Sequence, residues 1–346
     1  MSLKLGVVRD KRFLEHKTGP YHPENPKRLM AVYDLLDRRF PQGLISIAPE
    51  VATLEQLEMV HTPAYIKRLM ATAQRPFTNL AMDTVASAKS YFVAALAAGG
   101  CIKGLEALMT GRCQACFALV RPPGHHALPH QPQGFCLFNN LGIAARAAQR
   151  TYALKRILIV DWDYHHGNGL EQLFYKEKEV LYFSTHYLGS YPSTGDWEEV
   201  GLGPGQGYTI NLPLPKEVED PDLAHIYREV LGPVISGFDP QLVMVAAGFD
   251  SHRDDPLSVT RLSEKAFGAL ARLVRRFCLD ERGIPVLLAL EGGYDPLALA
   301  GCVQQVIQAL VQDEDSWQDL TQAHTPRGQE LVNQARQVHA GFGVWA

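Results

Sequence analysis

The sequence predicts an α/β fold in which helices cover both faces of a mostly parallel β-sheet. Short apolar runs recur along the 346-residue chain, each followed by polar or glycine-rich residues, and segments with helical periodicity separate them. This alternation of strand and helix is typical of parallel α/β sheets. No internal repeat, low-complexity tract or linker-like break interrupts the pattern. A single domain over residues 1–346 is therefore expected.

The apolar runs predict the strands, and the segments with helical periodicity predict the helices. The predicted strands are LGVV (5–8), CFALV (116–120), RILIV (156–160), VLYFS (180–184), YTINL (208–212), LVMVA (242–246) and PVLLAL (285–290). Between them, apolar residues recur at helical spacing. The predicted helices cover residues 84–109, 140–150, 222–236, 263–279 and 298–311.

Composition narrows the class of protein. Hydrophobic residues make up 46% of the chain and charged residues 20%, which is typical of a globular protein. The net charge of −4 argues against nucleic acid or an anionic membrane as the main partner. The apolar stretch in MSLKLGVVRDKRF is too short for a signal peptide, and we expect that no later apolar run reaches the length of a membrane span. We therefore expect a cytoplasmic protein.

Two other patterns are assigned to structure and not to chemistry. Cys113 and Cys116 form a C-x-x-C pair, but they open the apolar run CQACFALV and no second pair completes a zinc site. Core packing is expected for both. The segment GLGPGQGY (201–208) has Gln206 where the third glycine of a phosphate-binding loop would fall, and it precedes a strand. It is predicted to be a flexible surface loop.

Polar side chains follow four of the predicted strands. The segments RPPGHHALP, DWDYHHGNG, AGFDSHRDD and EGGYD come directly after the strands that end near Val120, Val160, Ala246 and Leu290. Ligands of open parallel sheets bind beyond the carboxyl ends of the strands, so we expect these groups to converge at one edge. The converging side chains are His125, His126, Asp161, Asp163, His165, Asp250 and Tyr294.

The spacing Asp161-x-Asp163-x-His165 indicates a metal site. In an extended strand these residues point to one side, and no arginine lies nearby in sequence to neutralise the carboxylates. Asp163, His165 and Asp250 would supply three ligands and leave a position open for water and substrate, as in catalytic sites. The set suits Zn²⁺, with Fe²⁺, Co²⁺ or Mn²⁺ as alternatives.

The remaining groups suit amide hydrolysis. His126 or His125 could take a proton from the attacking water and return it to the leaving amine. Tyr294 could donate its hydroxyl to the developing oxyanion. Asp161 and Asn168 are then expected to orient the two histidines.

The motifs RPPGHHA, GFCLFNN, DWDYHHGNG, AGFD-x-H-x-DDPL and EGGYD, in this order, resemble the zinc-dependent histone deacetylase and deacetylase-like amidohydrolase family. The resemblance extends from YHPENPKRL at residue 21 to the helix after Tyr294, which is nearly the whole chain. It implies an arginase-like α/β fold with an eight-stranded parallel sheet.

The resemblance also implies roles at matching positions. Asp163, His165 and Asp250 would bind zinc, and Tyr294 would be the oxyanion donor. His126 would be the general base and acid, and His125 its electrostatic partner, with Asp161 and Asn168 as hydrogen-bonding support.

The resemblance further implies a substrate channel and a structural K⁺ site. The walls of the channel would be Gly134, Phe135, Tyr191 and Leu257, and Arg28 would lie beneath the active site. The K⁺ site would consist of the carbonyls of Asp161, Asp163 and His165 with Ser184.

Three positions depart from the family pattern. Tyr191 stands where phenylalanine is usual, which makes the channel mouth more polar. The loop aspartate that holds a peptide substrate in many members has no clear counterpart, because Asp83 is expected to begin the next helix. Leu257 occupies a position where the polyamine-deacetylating branch commonly has glutamate, which favours lysine-type or other acyl amides.

The predicted function is therefore a metal-dependent amidohydrolase that removes acetyl or another short acyl group from an amine, most directly an acyl-lysine side chain. An acetylpolyamine deacetylase with the same mechanism is the first alternative. An arginase-like binuclear manganese ureohydrolase would need an aspartate where the chain has His252. A non-catalytic acyl-binding protein would lack a base, ligand or tyrosine, whereas all are present.

Overall fold

In the computed structural model of the chain, an eight-stranded parallel sheet forms the centre of the protein. The structure describes residues 3–314 and 316–345. Within them the strands are β1 (Leu5–Val8), β2 (Leu44–Ile47), β3 (Phe77–Asn79), β4 (Val85–Ser87), β5 (Ala115–Ala118), β6 (Ile157–Asp161), β7 (Val180–Tyr187), β8 (Thr209–Leu214), β9 (Leu242–Ala247) and β10 (Val286–Leu290). The order across the large sheet is β2-β1-β5-β10-β9-β6-β7-β8, and β3 and β4 form a separate antiparallel pair.

Helices pack around the sheet and bury a large apolar core against it. In the described residues they are α1 (Lys27–Arg39), α2 (Leu54–Leu57), α3 (Pro63–Ala71), α4 (Ser90–Met109), α5 (Asn140–Tyr152), α6 (Asn168–Phe174), α7 (Asp220–Phe238), α8 (Glu264–Val274), α9 (Pro296–Val311), α10 (Gln318–Thr321) and α11 (Pro326–His339). A second, smaller apolar cluster includes residues of α2, α3, α4 and α5. A π-helical turn, Arg275–Asp280, extends α8 over most of the predicted segment 263–279.

All seven predicted strands are present, with bounds shifted by a few residues at most. The eighth strand, β2, is missing from the prediction because its sequence, LISI, gives a weak signal. It pairs only with β1 at the edge of the sheet and is partly exposed, so it needs no long apolar run.

The predicted helix 84–109 begins later than expected. Residues Val85–Ser87 pair with Phe77–Asn79 in the small hairpin, and α4 starts only at Ser90. Asp83 therefore lies in the turn of that hairpin, and the expectation that it begins a helix is wrong. The pairing partner lies outside the predicted segment, so helical periodicity could not reveal it.

Helix α4 also contradicts the expectation that no run reaches the length of a membrane span. Its 20 residues are long and apolar enough to cross a membrane, but 72% of its most apolar window is buried inside the protein. The helix packs against β1, β5, β10 and α5. Contacts on several sides explain why it is apolar all round.

Two structural assignments can be compared with the fold. Cys113 and Cys116 are buried free thiols, as expected for core packing. The glycine-rich segment 201–208 precedes β8, as predicted, but Gly205 is buried against residues 175–177. A Cβ on Gly205 would lie 2.6 Å from two backbone atoms there, so this part of the segment is packed and not a loose surface loop.

The strand order explains why the four polar segments converge. Strands β5, β10, β9 and β6 are consecutive neighbours in the middle of the sheet, and all are parallel. Their carboxyl ends therefore lie side by side at one edge. Each of the four segments identified from the sequence leaves the sheet at that edge.

The packing of α4 can be tested at Gly99. A Cβ at this position would lie 1.9 Å from the Glu50 carbonyl oxygen and 2.7 Å from the Ala52 nitrogen, both backbone atoms. Gly99→Ala should therefore lower the free energy of unfolding by about 1–3 kcal/mol or more. Gly301→Ala in α9 is the matched control, because nothing lies within 4 Å of its Cβ position and alanine favours helices. Equal urea midpoints for the two variants would contradict the close packing.

Candidate active site

Two carboxylates and one imidazole form a compact cluster at the carboxyl edge of the sheet. Asp163 and His165 follow β6, Asp250 follows β9, and one ligand atom from each lies within 4.8 Å of the others. His165 Nδ1 lies 2.9 Å from Asp250 Oδ2 and 3.3 Å from Asp163 Oδ1. A nitrogen and carboxylate oxygens at this spacing fit a divalent cation such as Zn²⁺.

Glycines make room for the cluster. A Cβ at Gly248 would lie 1.9 Å from Asp163 Oδ2, and one at Gly292 would lie 2.3 Å from Asp250 Oδ2. The Gly292 N–H donates to Asp163 Oδ2 at 2.8 Å. The backbone therefore approaches the carboxylates more closely than any side chain would allow, which explains the glycines in AGFD and EGGYD.

The electrostatics of the cluster favour a cation. Burial raises the pKa of Asp250, and the charge of Asp163 raises it further. Burial also opposes ionisation of Asp163, but His125 and His165 outweigh it and hold its pKa well below the usual range. Burial disfavours a charged His165, yet hydrogen bonds to the two carboxylates raise its pKa to about 9. Positive charge is thus stabilised at this point.

The prediction that Asp161, Asp163 and His165 share one side of an extended strand is wrong. Strand β6 ends at Asp161, and the chain turns away after it. Asp161 is not part of the cluster. Its Oδ2 lies 3.2 Å from His125 Nδ1 and accepts the Tyr182 hydroxyl at 3.0 Å. Asp161 thus contacts a histidine, as the sequence predicts.

His125 and His126 lie beside each other after β5, with ring centroids 4.0 Å apart. His126 Nδ1 lies 2.8 Å from Asn168 Oδ1, at the start of α6. Burial lowers the pKa of His126 well below its usual value, and the charges of His125 and His165 lower it further. Burial also opposes charge on His125, but Asp163 and Asp161 raise its pKa to about 10. The pair therefore combines a neutral imidazole with a charged one.

Tyr294 follows β10, and its side chain is buried. The Arg28 guanidinium carbon lies 4.8 Å from the ring centroid, and Arg28 donates to the Gly293 and Glu291 carbonyls. Burial raises the pKa of Tyr294 well above its usual value, and the charge of Asp250 adds to this. The hydroxyl therefore keeps its proton.

The predicted channel residues line one cavity of about 250 Å³ together with the catalytic candidates. The Phe135 ring contacts Tyr294 edge-on at 5.5 Å, and the Tyr191 ring contacts His126 at 5.2 Å. The residues that line the cavity are Asp83, His126, Gly134, Phe135, His165, Tyr191, Leu257 and Tyr294. Asp83, which was not expected to be the counterpart of the substrate-holding loop aspartate, lies at this cavity.

The backbone at Gly134 and Phe135 is left-handed, with φ of 53° and 66°. A Cβ at Gly134 would lie 2.2 Å from His126 Cδ2, so only glycine fits. Phe135 is a non-glycine residue in this region, a conformation that costs of order 1–3 kcal/mol. Its N–H donates to Thr84 Oγ1 at 3.0 Å, which holds the ring at the channel.

Several polar residues near the site were not identified from the sequence. Glu291 Oε2 accepts the N–H groups of Gly124 at 2.6 Å and His125 at 3.1 Å. Buried Glu24 bridges Arg28 and Arg121. Glu291, Arg121 and Glu24 each lie in a quoted motif (EGGYD, RPPGHHALP and YHPENPKRL), but their partners are mostly distant in sequence, so the motifs did not indicate these contacts.

Ser184 was predicted to contribute to a K⁺ site. It pairs with Asp161 in the register of β7 and β6, and its Oγ lies 2.9 Å from His186 Nδ1. Ser184 and the end of β6 are therefore adjacent.

Comparison with known proteins agrees with this geometry. The family model described as "Histone deacetylase domain" matches residues 22–310. A "Probable deacetylase" of Archaeoglobus fulgidus is 36% identical over 84% of this chain and 81% of its own. A "Histone deacetylase-like amidohydrolase" of Pseudomonas aeruginosa is 35% identical over 83% and 76%. The crystal structure of the HDA15 HD domain superposes with a TM-score of 0.88 at 35% identity, covering 97% of this chain and 96% of that one. The chain belongs to the histone deacetylase family.

Proposed function

We propose that this protein is a metal-dependent amidohydrolase that removes acetyl or another short acyl group from an amine. The observation that carries the proposal is the convergence, around one cavity, of a cation-binding cluster, a neutral His126 and a protonated Tyr294. Similar proteins named a probable deacetylase and a histone deacetylase-like amidohydrolase support the same reaction class.

Asp163, His165 and Asp250 would hold the metal, for which we propose Zn²⁺ with Fe²⁺ or Co²⁺ as alternatives. Such an ion, when bound, lowers the pKa of a water ligand to about 7 and polarises the substrate carbonyl. Two carboxylates and one imidazole leave coordination positions open, as catalytic sites require.

His126 would act as the general base and then as the general acid. The Asn168 carbonyl oxygen accepts from Nδ1, so the proton stays on that nitrogen and Nε2 remains basic. His126 would take a proton from the attacking water and return it to the leaving amine. The charged His125 beside it would stabilise negative charge that develops in the transition state, and Asp161 would keep His125 protonated.

Tyr294 would donate its hydroxyl to the oxyanion that forms from the acyl carbonyl. Phe135, Tyr191 and Leu257 line the channel, and these largely apolar walls suit the aliphatic part of a long, narrow substrate. An acyl-lysine side chain has this shape. Asp83 at the same cavity would accept an N–H group from a peptide backbone.

Asp83 also supports a second candidate substrate. Its carboxylate is acidic and faces the cavity, where it would bind the distant ammonium of an acetylated polyamine. Leu257 offers no charge for this purpose, and it favours the acyl-lysine substrate.

We also propose a structural K⁺ at the carbonyls of Asp161, Asp163 and His165 with Ser184, supported by the pairing of Asp161 with Ser184. A cytoplasmic location stays a prediction.

Tyr294→Phe tests the oxyanion role. The variant loses only the hydroxyl, so it should bind metal as the parent does while kcat falls about 10²–10³-fold. The measurement is acetate release from an acetyl-lysine peptide, with metal content determined by mass spectrometry on the same samples. Unchanged turnover would remove Tyr294 from the mechanism.

Asp250→Ala tests the ligand set. Removing this carboxylate should weaken zinc binding strongly and abolish turnover, because two ligands remain from three. Asp254→Ala is the matched control, since this aspartate lies on the same loop with a side chain 68% exposed. Zinc stoichiometry after dialysis distinguishes the two variants. Full zinc retention in Asp250→Ala would show that the ligand set is wrong.

A substrate panel tests the reaction and the substrate together. The zinc-loaded protein should release acetate from an acetyl-lysine peptide faster than from N-acetylated diamines, and it should not release urea from arginine. Asp83→Asn should then raise KM for the peptide and leave a small acetylated amine less affected, because only the peptide offers a backbone N–H. Preference for acetylated diamines would favour the polyamine alternative, and urea from arginine alone would overturn the mononuclear assignment.

A further inference from the structure

Asp255 is a buried carboxylate next to the active site that takes no part in the proposed chemistry. It lies in DDPL, five residues after Asp250, and only 5% of its surface is exposed. It does not line the substrate cavity and is not one of the three clustered ligands. A buried carboxylate that is not paired with a positive charge needs hydrogen-bond donors. The groups that donate to Asp255 therefore indicate what it holds in place.

All of the hydrogen bonds that the structure gives to this carboxylate come from backbone N–H groups. Oδ2 accepts from Tyr294 at 2.5 Å and from Asp295 at 3.3 Å. Oδ1 accepts from Leu257 at 3.0 Å. The Asp255 carboxylate therefore links the backbone at Tyr294, the proposed oxyanion donor, to the backbone at Leu257, which lines the channel.

The Tyr294 segment depends on such support. Two glycines, Gly292 and Gly293, precede the tyrosine, and Gly293 has a φ of 112° that other residues rarely adopt. Glycines give the backbone freedom to move, so the local sequence does not fix the position of the phenol. Asp255 holds the backbone N–H of Tyr294 itself, and Arg28 holds the Gly293 carbonyl on the other side.

We propose that Asp255 is a positioning residue for amide hydrolysis, which fixes the oxyanion donor Tyr294 through its backbone N–H group. The inference rests on the proposed function, because it assumes that Tyr294 donates to the oxyanion. Asp255 acts before and during the reaction without contacting substrate. Its effect should therefore appear in the rate of the chemical step and not in metal binding.

Asp255→Asn is the first variant to test this. The amide has nearly the same shape but only one accepting oxygen, and its NH₂ group must face an N–H donor on one side. Misplacing Tyr294 should lower kcat by about 10–10²-fold, less than complete loss of an oxyanion donor. KM should change by less than about threefold, because ground-state contacts are kept. Zinc content should equal that of the parent.

A double-mutant cycle with Tyr294→Phe decides whether Asp255 acts through the hydroxyl. If it does, Asp255→Asn should reduce kcat less than about threefold further in the Tyr294→Phe background, because the group that it positions is gone. A separate structural role would multiply the two losses. Asp254→Asn is the control, since its side chain is exposed and accepts none of these N–H groups.

Each outcome supports or overturns the proposal. A lower kcat with parental zinc content and a non-additive cycle supports it. Unchanged kcat, multiplied losses or loss of zinc would overturn it. If Asp255→Asn does not fold, Asp255→Ser is measured in the same cycle, and failure of both to fold would assign Asp255 to stability alone. Unchanged turnover of Tyr294→Phe by itself would instead contradict the proposed function.

Discussion

The close approach of Asp163 and Asp250 is the constraint on which the rest of the site depends. Two carboxylates in a dry site repel each other and lose their hydration, so each needs donors and a nearby positive charge. Asp163 Oδ2 accepts the Gly292 N–H and Asp250 Oδ1 accepts the Tyr164 N–H. His165 lies between the two carboxylates. Together these contacts hold three potential metal ligands close to one another.

The same negative charge gives two adjacent histidines different protonation states. His125 lies near Asp161 and Asp163, and its pKa is raised to about 10 in spite of burial. His126 contacts the neutral Asn168, so burial dominates and lowers its pKa. The proposed division between base and electrostatic partner is consistent with these surroundings, because a carboxylate lies beside one ring and an amide beside the other, and the charges of His125 and His165 lower the pKa of His126 further.

The sequence predicted those parts of the fold that depend on local pattern. Buried strands carry continuous apolar runs, and the rule for strand ends placed His125, Asp163, Asp250 and Tyr294 at one edge. Features that depend on distant partners were missed. The β3–β4 pairing displaced the start of α4 and placed Asp83 in the cavity. The contacts of Asp255 with Tyr294 and of Glu291 with Gly124 span 39 and 167 positions, and no local periodicity reports them.

These long-range contacts share a physical cause. At the carboxyl end of a parallel sheet the hydrogen-bond ladder stops, and the N–H groups of the loops beyond it need acceptors. Carboxylates that follow one of the strands β5, β10, β9 and β6 accept N–H groups from loops that follow another strand of this group. The contacts are Glu291 with Gly124 and His125, Asp255 with Tyr294, Asp163 with Gly292, and Asp250 with Tyr164. Two of these carboxylates, Asp163 and Asp250, are also the proposed metal ligands, so loop support and the proposed metal site share these two side chains. Asp255 and Glu291 accept N–H groups without belonging to the cluster, so a change in either is expected to disturb the loops while the three proposed ligands remain in place.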